Sequence, residues 1–172
     1  MTFDIFNRHA AKIEMANVAQ TVNCIHSLFL AQGANFVRTP VYHVFDMYRT
    51  HMGARQVPLT NPIADLDVPV LSRKAKLPGL SASASIRDRR MAVTLTNPSL
   101  DAALSVRLRL SGGARATEAR ATVLTHQDMR ATNTFAEPGV VKPAAHPVRA
   151  VADAVELTVP KQAIVLVECE IG

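Results

Sequence analysis

Apolar and polar positions follow two different periods along this chain, and the change falls near residue 53. From residue 54 onward the apolar positions recur every second residue in short runs, as in strands with one buried face. Leu80-Ser81-Ala82-Ser83-Ala84-Ser85-Ile86 alternates cleanly, and Met91 to Thr96 does so after the charged run Arg87-Asp88-Arg89-Arg90. Two such runs around a short polar turn predict a hairpin. Leu104, Val106, Leu108 and Leu110 alternate with Ser105, Arg107 and Arg109, a strand with one buried and one wet face. Ala119 to Thr125, Ala154 to Val159 and Ala163 to Ile171 continue the pattern. Arg55 to Leu59 reads as an edge strand, because Pro58 has no amide proton to give a ladder. Residues 126 to 147 form a long irregular stretch carrying Pro138, Gly139, Pro143 and Pro147, of the kind that is either functional or packed by its own side chains. About seven or eight short strands at close spacing predict a β-sandwich. Leu104, Val106, Leu108, Leu110, Val123, Val155, Leu157, Val159, Val165 and Val167 are expected to face inward.

Before residue 54 the period lengthens. Met15, Val18, Val22, Ile25 and Phe29 fall at steps of three and four, which predicts a helix from about residue 8 to 31, capped by Asn7 and ended by Gly33. A second helix is expected after Pro40, with Val41, Val44, Phe45 and Tyr48 on one face and Gly53 as its stop.

Composition narrows the class. Of the 172 residues, 48% are apolar and 5% aromatic, with no Trp, so the core must be built from aliphatic side chains. A net charge of +5 raises nucleic acid as a partner. The arginines are dispersed from Arg55 to Arg149, which reads as a solvated surface, so no nucleic-acid partner is expected. Cys24 and Cys169 lack any neighbouring ligand pattern and suggest small buried residues in a reducing compartment. Met1-Thr2-Phe3-Asp4 does not resemble a signal peptide, and no apolar run reaches the roughly 18 residues of a membrane span. The expectation is a cytoplasmic protein with no membrane partner.

Several segments together resemble the C-terminal end of family 51 α-L-arabinofuranosidases. Phe6-Asn7-Arg8-His9-Ala10 and Met15-Ala16-Asn17-Val18-Ala19-Gln20-Thr21-Val22-Asn23 are similar to that family's "FNRHA" and "MANIAQxVN" segments. Thr39-Pro40-Val41-Tyr42-His43-Val44-Phe45-Asp46-Met47-Tyr48 resembles "TPTYHVFEMY". Leu124-Thr125 through Asn133-Thr134-Phe135 and Pro138 resembles its "LT…NTF..P" loop, and Pro160 to Val167 its "LPPxSVVVL" ending. These landmarks occur in the family's order over nearly the whole chain. The resemblance implies a mainly β fold: a jelly-roll-like sandwich at residues 54–172, preceded at residues 1–53 by a remnant, helix or strand, of the end of a (β/α)₈ barrel. It places residues 13–19 in the eighth barrel strand and residues 40–51 in the last barrel helix. It also implies a retaining glycosidase that removes terminal arabinofuranose.

Retaining glycosidases need two carboxylates about 5–5.5 Å apart. Glu14, Glu118, Glu137, Glu156, Glu168 and Glu170 stand in none of the family's catalytic motifs, so no catalytic residue is expected in this chain. By resemblance Gln20 matches the glutamine that hydrogen-bonds the arabinofuranose. A side-chain amide suits that role, since it both donates to and accepts from hydroxyls. His43, Asp46 and His51 have partly helical spacing, but no further ligand accompanies them, and neither metal nor cofactor is expected. Asp128 and Asn133 suit loop bonds to their own backbone, and Ser81, Ser83 and Ser85 a small-residue packing or wet face. An arabinose-containing saccharide is expected as a partner only beside a barrel. With Ile13, Met15, Val18, Val22, Ile25, Leu28, Phe29, Val44 and Phe45 deprived of barrel neighbours, residues 1–53 are expected to be the least secure part and to drive homo-oligomer formation. Removal of residues 1–35 is expected to leave the sandwich folded. The alternatives are a stand-alone carbohydrate-binding sandwich, which the lack of Trp and the position of Tyr42 and Tyr48 outside the sandwich disfavour, and a nonfunctional fragment.

Overall fold

The computed structural model describes residues 1–17, 20–70 and 73–172. In chain order the elements are α1 (Thr2–Arg8), β1 (Phe29–Gln32), β2 (Asn35–Arg38), α2 (Pro40–Tyr48), a 3₁₀ turn at Arg49–His51, β3 (Arg55–Val57), β4 (Leu66–Val70), β5 (Arg73–Leu77), β6 (Ser81–Arg87), β7 (Arg90–Asn97), β8 (Leu104–Arg109), β9 (Ala116–Thr125), β10 (Ala144–His146), β11 (Val148–Val151), β12 (Ala154–Val159) and β13 (Ala163–Ile171).

Six strands form one sheet in the order β10-β9-β13-β7-β6-β3, and β11-β12-β8 form a second. The strands of both sheets pair antiparallel; β6–β7 and β11–β12 are hairpins, whereas β13 reaches β7 and β9 through longer connections. Alternation decides what each face meets. Ala82, Ala84, Met91, Val93, Leu95, Val123, Val165 and Val167 of the large sheet pack with Val155, Leu157 and Val159 of the small one. Leu104, Val106, Leu108 and Leu110 are half-buried against this core, so all ten expected inward positions join it. On the outer face of the large sheet Ala92, Leu124 and Leu166 pack with Met47 of α2 and Val141. The central strands are therefore covered on both sides, and three layers result: small sheet, large sheet, helices.

The hairpin expected around Arg87–Arg90 is present, with Arg87 opposite Arg90 and Asp88 at φ +56° in the turn. The short strand at residues 55–57 lies at a sheet edge and stops before Pro58. The second helix runs from Pro40 as expected; Thr39 caps it by accepting the amide of Tyr42, and the chain turns away at Gly53, φ +68°.

The first helix is a correction. No helix spans residues 8–31: α1 covers only Thr2–Arg8, and β1 begins at Phe29. Asn23 and His26 stand at φ +56° and +59°, which a right-handed helix cannot contain. The strand implied for residues 13–19 is absent from residues 13–17, and Val18 and Ala19 lie outside the described residues. Cys24 is half-exposed rather than buried, whereas Cys169 is buried in the core. The hairpin β4–β5 and the short strands β10 and β11 were not expected.

Candidate functional site

Gln20 stands exposed at the start of a self-closed loop. The carbonyl of Thr21 accepts the amides of Leu28 and Phe29 at 3.0 and 3.1 Å, and the amide of Asn23 donates to the carbonyl of Phe29 at 3.1 Å. The Asn23 side chain bridges to Ala31, donating to its carbonyl and accepting from its amide, both at 2.8 Å. The Cys24 thiol donates to the Gln20 carbonyl at 3.2 Å. Beside the loop lies an aromatic group: Phe29 contacts Phe36 and Tyr42 with centroids 4.9 and 5.2 Å apart, and the Arg38 guanidinium sits 5.0 Å over the Tyr42 ring. Met15, Ile25 and Phe36 are 75%, 81% and 59% exposed, an apolar rim on the same part of the chain.

The long 126–147 stretch is packed by its own polar side chains. Asn133 is fully buried; its Nδ2 donates to the carbonyls of Arg38 and Val141, both at 2.9 Å, and its Oδ1 accepts the Val141 amide at 2.7 Å. Asp128 accepts the Arg130 amide at 2.8 Å, a local turn bond as expected for a loop aspartate.

A buried polar cluster joins α1 to the large sheet. The carboxylate of Asp4, 0% exposed, lies 2.7 Å from the Tyr48 hydroxyl and 3.0–3.1 Å from the hydroxyls of Ser83, Thr94 and Thr96. His51 adds Nδ1 to Ser85 at 2.7 Å and Nε2 to Thr94 at 3.3 Å. Thr94 has one proton, directed to Asp4 or Ser83, so its oxygen accepts from His51 Nε2–H and Nδ1 accepts from Ser85. Burial holds the His51 ring at about 4 despite the opposing pull of Asp4 and Glu168, and burial with the Asp4 charge drives Tyr48 far upward, so both side chains are neutral near pH 7. The cluster is a structural lock. Its signal in the sequence is the register of β6 and β7, which sets Ser83 opposite Thr94 and Ser81 opposite Thr96 on one face; Asp4, Tyr48 and His51 were not singled out as its other members.

The remaining candidates do not converge. Both ring nitrogens of His51 are engaged, and Asp46 pairs with Arg49 at 3.3 Å, so no metal set forms with His43. No cluster of metal-binding side chains occurs among the described residues. Arg107 and Arg149 hold Glu156 at 2.7 and 2.6 Å, and the Arg149 hydrogen bond keeps this carboxyl below its ordinary range, opposite to a general acid. Glu168 pairs with Arg120 at 3.0 Å. Among the described residues no hydrogen bond engages the Gln20 side chain.

Residues 1–162 match the family described as alpha-L-arabinofuranosidase C-terminal domain. The chain belongs to this family. An intracellular exo-alpha-L-arabinofuranosidase of Bacteroides ovatus is 32% identical over 145 residues, 84% of this chain and 27% of that protein. The GH51 arabinofuranosidase structure from Xanthomonas axonopodis pv. citri superposes with a TM-score of 0.89 at 30% identity, over 98% of the domain and 34% of that chain. An α-L-arabinofuranosidase from Thermotoga maritima in complex with arabinose shares the fold, with a TM-score of 0.73 at 22% identity over 98% of the domain and 36% of that chain. The domain thus spans between a quarter and about a third of its relatives' length. The mainly β sandwich expected from alternation is the fold of this chain. No helix of the described residues is long and apolar enough to cross a membrane.

Proposed function

We propose that this chain acts as the C-terminal region of a retaining, intracellular α-L-arabinofuranosidase that releases terminal arabinofuranose. Residues 54–172 would be its accessory sandwich and residues 1–53 the closing part of its barrel. The observation that carries this reading is the superposition of 98% of the chain on one third of a GH51 arabinofuranosidase at a TM-score of 0.89. The exposed rim of Met15, Ile25 and Phe36 supports it, since apolar groups of this size belong against a neighbour. The two carboxylates of hydrolysis would come from barrel strands outside these residues, and Gln20 would bond the sugar hydroxyls from the barrel's rim.

The test is turnover of an aryl α-L-arabinofuranoside. The purified chain should give none, because nucleophile and acid/base each contribute several powers of ten. Fusion to the barrel of the Xanthomonas relative should restore turnover, and Gln20→Ala should then lower kcat/KM by about 10–100-fold, as expected for lost hydrogen bonds in a buried site. Turnover by the chain alone, abolished by changing one of its own glutamates, would overturn the proposal.

A further inference from the structure

We propose that Asn133 and Thr39 are positioning residues for the loop that carries Gln20. The inference rests on the reading of Gln20 as a sugar contact. From residue 20 to 28 the backbone makes one isolated bridge, Val22 to Phe29, and joins no longer ladder, so side chains must supply much of what fixes where Gln20 stands. Thr39 and Asn133 grip the two ends of that problem. The Thr39 hydroxyl, buried, donates to the carbonyl of Ser27 at 2.7 Å and lies 3.2 Å from that of Leu28, while its amide donates to Leu28 at 3.0 Å. One residue earlier, the carbonyl of Arg38 accepts from Asn133, which sits 95 residues along the chain in the sandwich's long loop.

The contacts form a continuous path. Asn133 holds Arg38; Arg38 pairs with Phe29 in the β1–β2 hairpin; Thr39 holds Ser27 and Leu28; Leu28 and Phe29 bond the carbonyl of Thr21, the neighbour of Gln20. Both Nδ2 protons of Asn133 are donated and Oδ1 accepts one amide; a flipped amide would set its oxygen against two carbonyls, so its orientation is determined. A fully buried side chain with three bonds made resists displacement, because each lost partner leaves an unsatisfied group. The sandwich loop, on this reading, sets the position of a residue in the barrel's sugar site. Positional errors of about 1 Å at such a site cost rate, which makes a fixed support useful.

The test is amide hydrogen exchange on the full chain, read residue by residue, for Asn133→Ala, Thr39→Val and Thr39→Ser. Amides of Asn23, Leu28, Phe29 and Ala31 should exchange at least about tenfold faster in the first two variants, while Val93 and Val167 in the central strands keep their protection. Thr39→Ser retains the hydroxyl and should restore the loop. Unchanged loop exchange, or equal acceleration in loop and central strands, overturns the inference. If Asn133→Ala does not fold, the comparison of Thr39→Val with Thr39→Ser decides it: rescue supports the clasp, and no difference in the loop overturns it. No sugar or barrel is required. Failure of the Gln20 reading would show separately, as a fused Gln20→Ala enzyme with unchanged kcat/KM.

Discussion

Asp4 shows how much one side chain can organise. Its carboxylate has no solvent and gathers hydroxyls from α2, β6 and β7, so it converts three separate elements into one polar joint. Asp4→Asn keeps the shape but replaces an accepting oxygen by a donating amide that faces hydroxyl donors. The variant should lose about 2–4 kcal/mol of stability in urea unfolding, since bonds to a charged partner exceed neutral ones. His51 in the same cluster makes stability pH-dependent. Burial lowers its pKa from 6.5 to about 4, so between these values the unfolded chain binds the proton that the native chain refuses. The contribution is full above about pH 6.5 and falls as pH drops toward 4, by on the order of 3 kcal/mol. His51→Gln should flatten this part of the profile. Urea midpoints at several pH values between 7 and 4 check it, and parallel profiles for the two proteins would show that the ring is not the source.

At the scale of elements, what alternation could report was legible and what polar burial decides was not. Strands β6, β7, β8, β12 and β13 appear where the two-residue period sits, because their buried positions are aliphatic on at least one face. The helix α1 stayed hidden since the side chain it buries is a carboxylate, which no hydrophobic period marks. The false helix at 8–31 arose from apolar residues that share no face: Met15 and Ile25 point to solvent, while Phe29 stacks within an aromatic group. The sugar-contact role proposed for Gln20 rests on resemblance, and the bond from Asn133 to Arg38 has no signal in the sequence, because a contact between residues 95 apart leaves no local trace. The expectation that residues 1–35 can be removed freely now requires revision, for they include the Asp4 lock. A variant lacking residues 1–8 should lose cooperative thermal stability; an unchanged transition would mean that the joint is energetically idle. Gly79, between β5 and β6, gives a sharper check. An added Cβ there would lie 2.1 Å from the Ala64 carbonyl oxygen and 3.0 Å from Ile63 Cγ2, so Gly79→Ala should destabilise by about 1–3 kcal/mol through overpacking.

For the whole molecule, coverage is uneven: Met47 of α2 packs on the sandwich, while Met15, Ile25 and Phe36 in the segment before α2 stay exposed. Each such side chain gains roughly 1.5–3 kcal/mol when fully buried, so copies of this chain should associate through the rim. The double variant Ile25→Lys, Phe36→Ser should shift light scattering toward the monomer, and an unchanged mass would exclude the rim as the contact. The order of strands has a consequence for synthesis. β13, residues 163–171, lies in the middle of the large sheet, between β7 and β9, although it comes last among the strands. While the ribosome is still adding these residues, the hairpin β6–β7 and strand β9 stand with facing edges open, and the two halves of the sheet have no common member. Pairing over such sequence distances is slow, and open edges invite other chains. The facing edges of β7 and β9 therefore stay open until residues 163–171 emerge, and a stop at Pro160 would remove the keystone of the sheet.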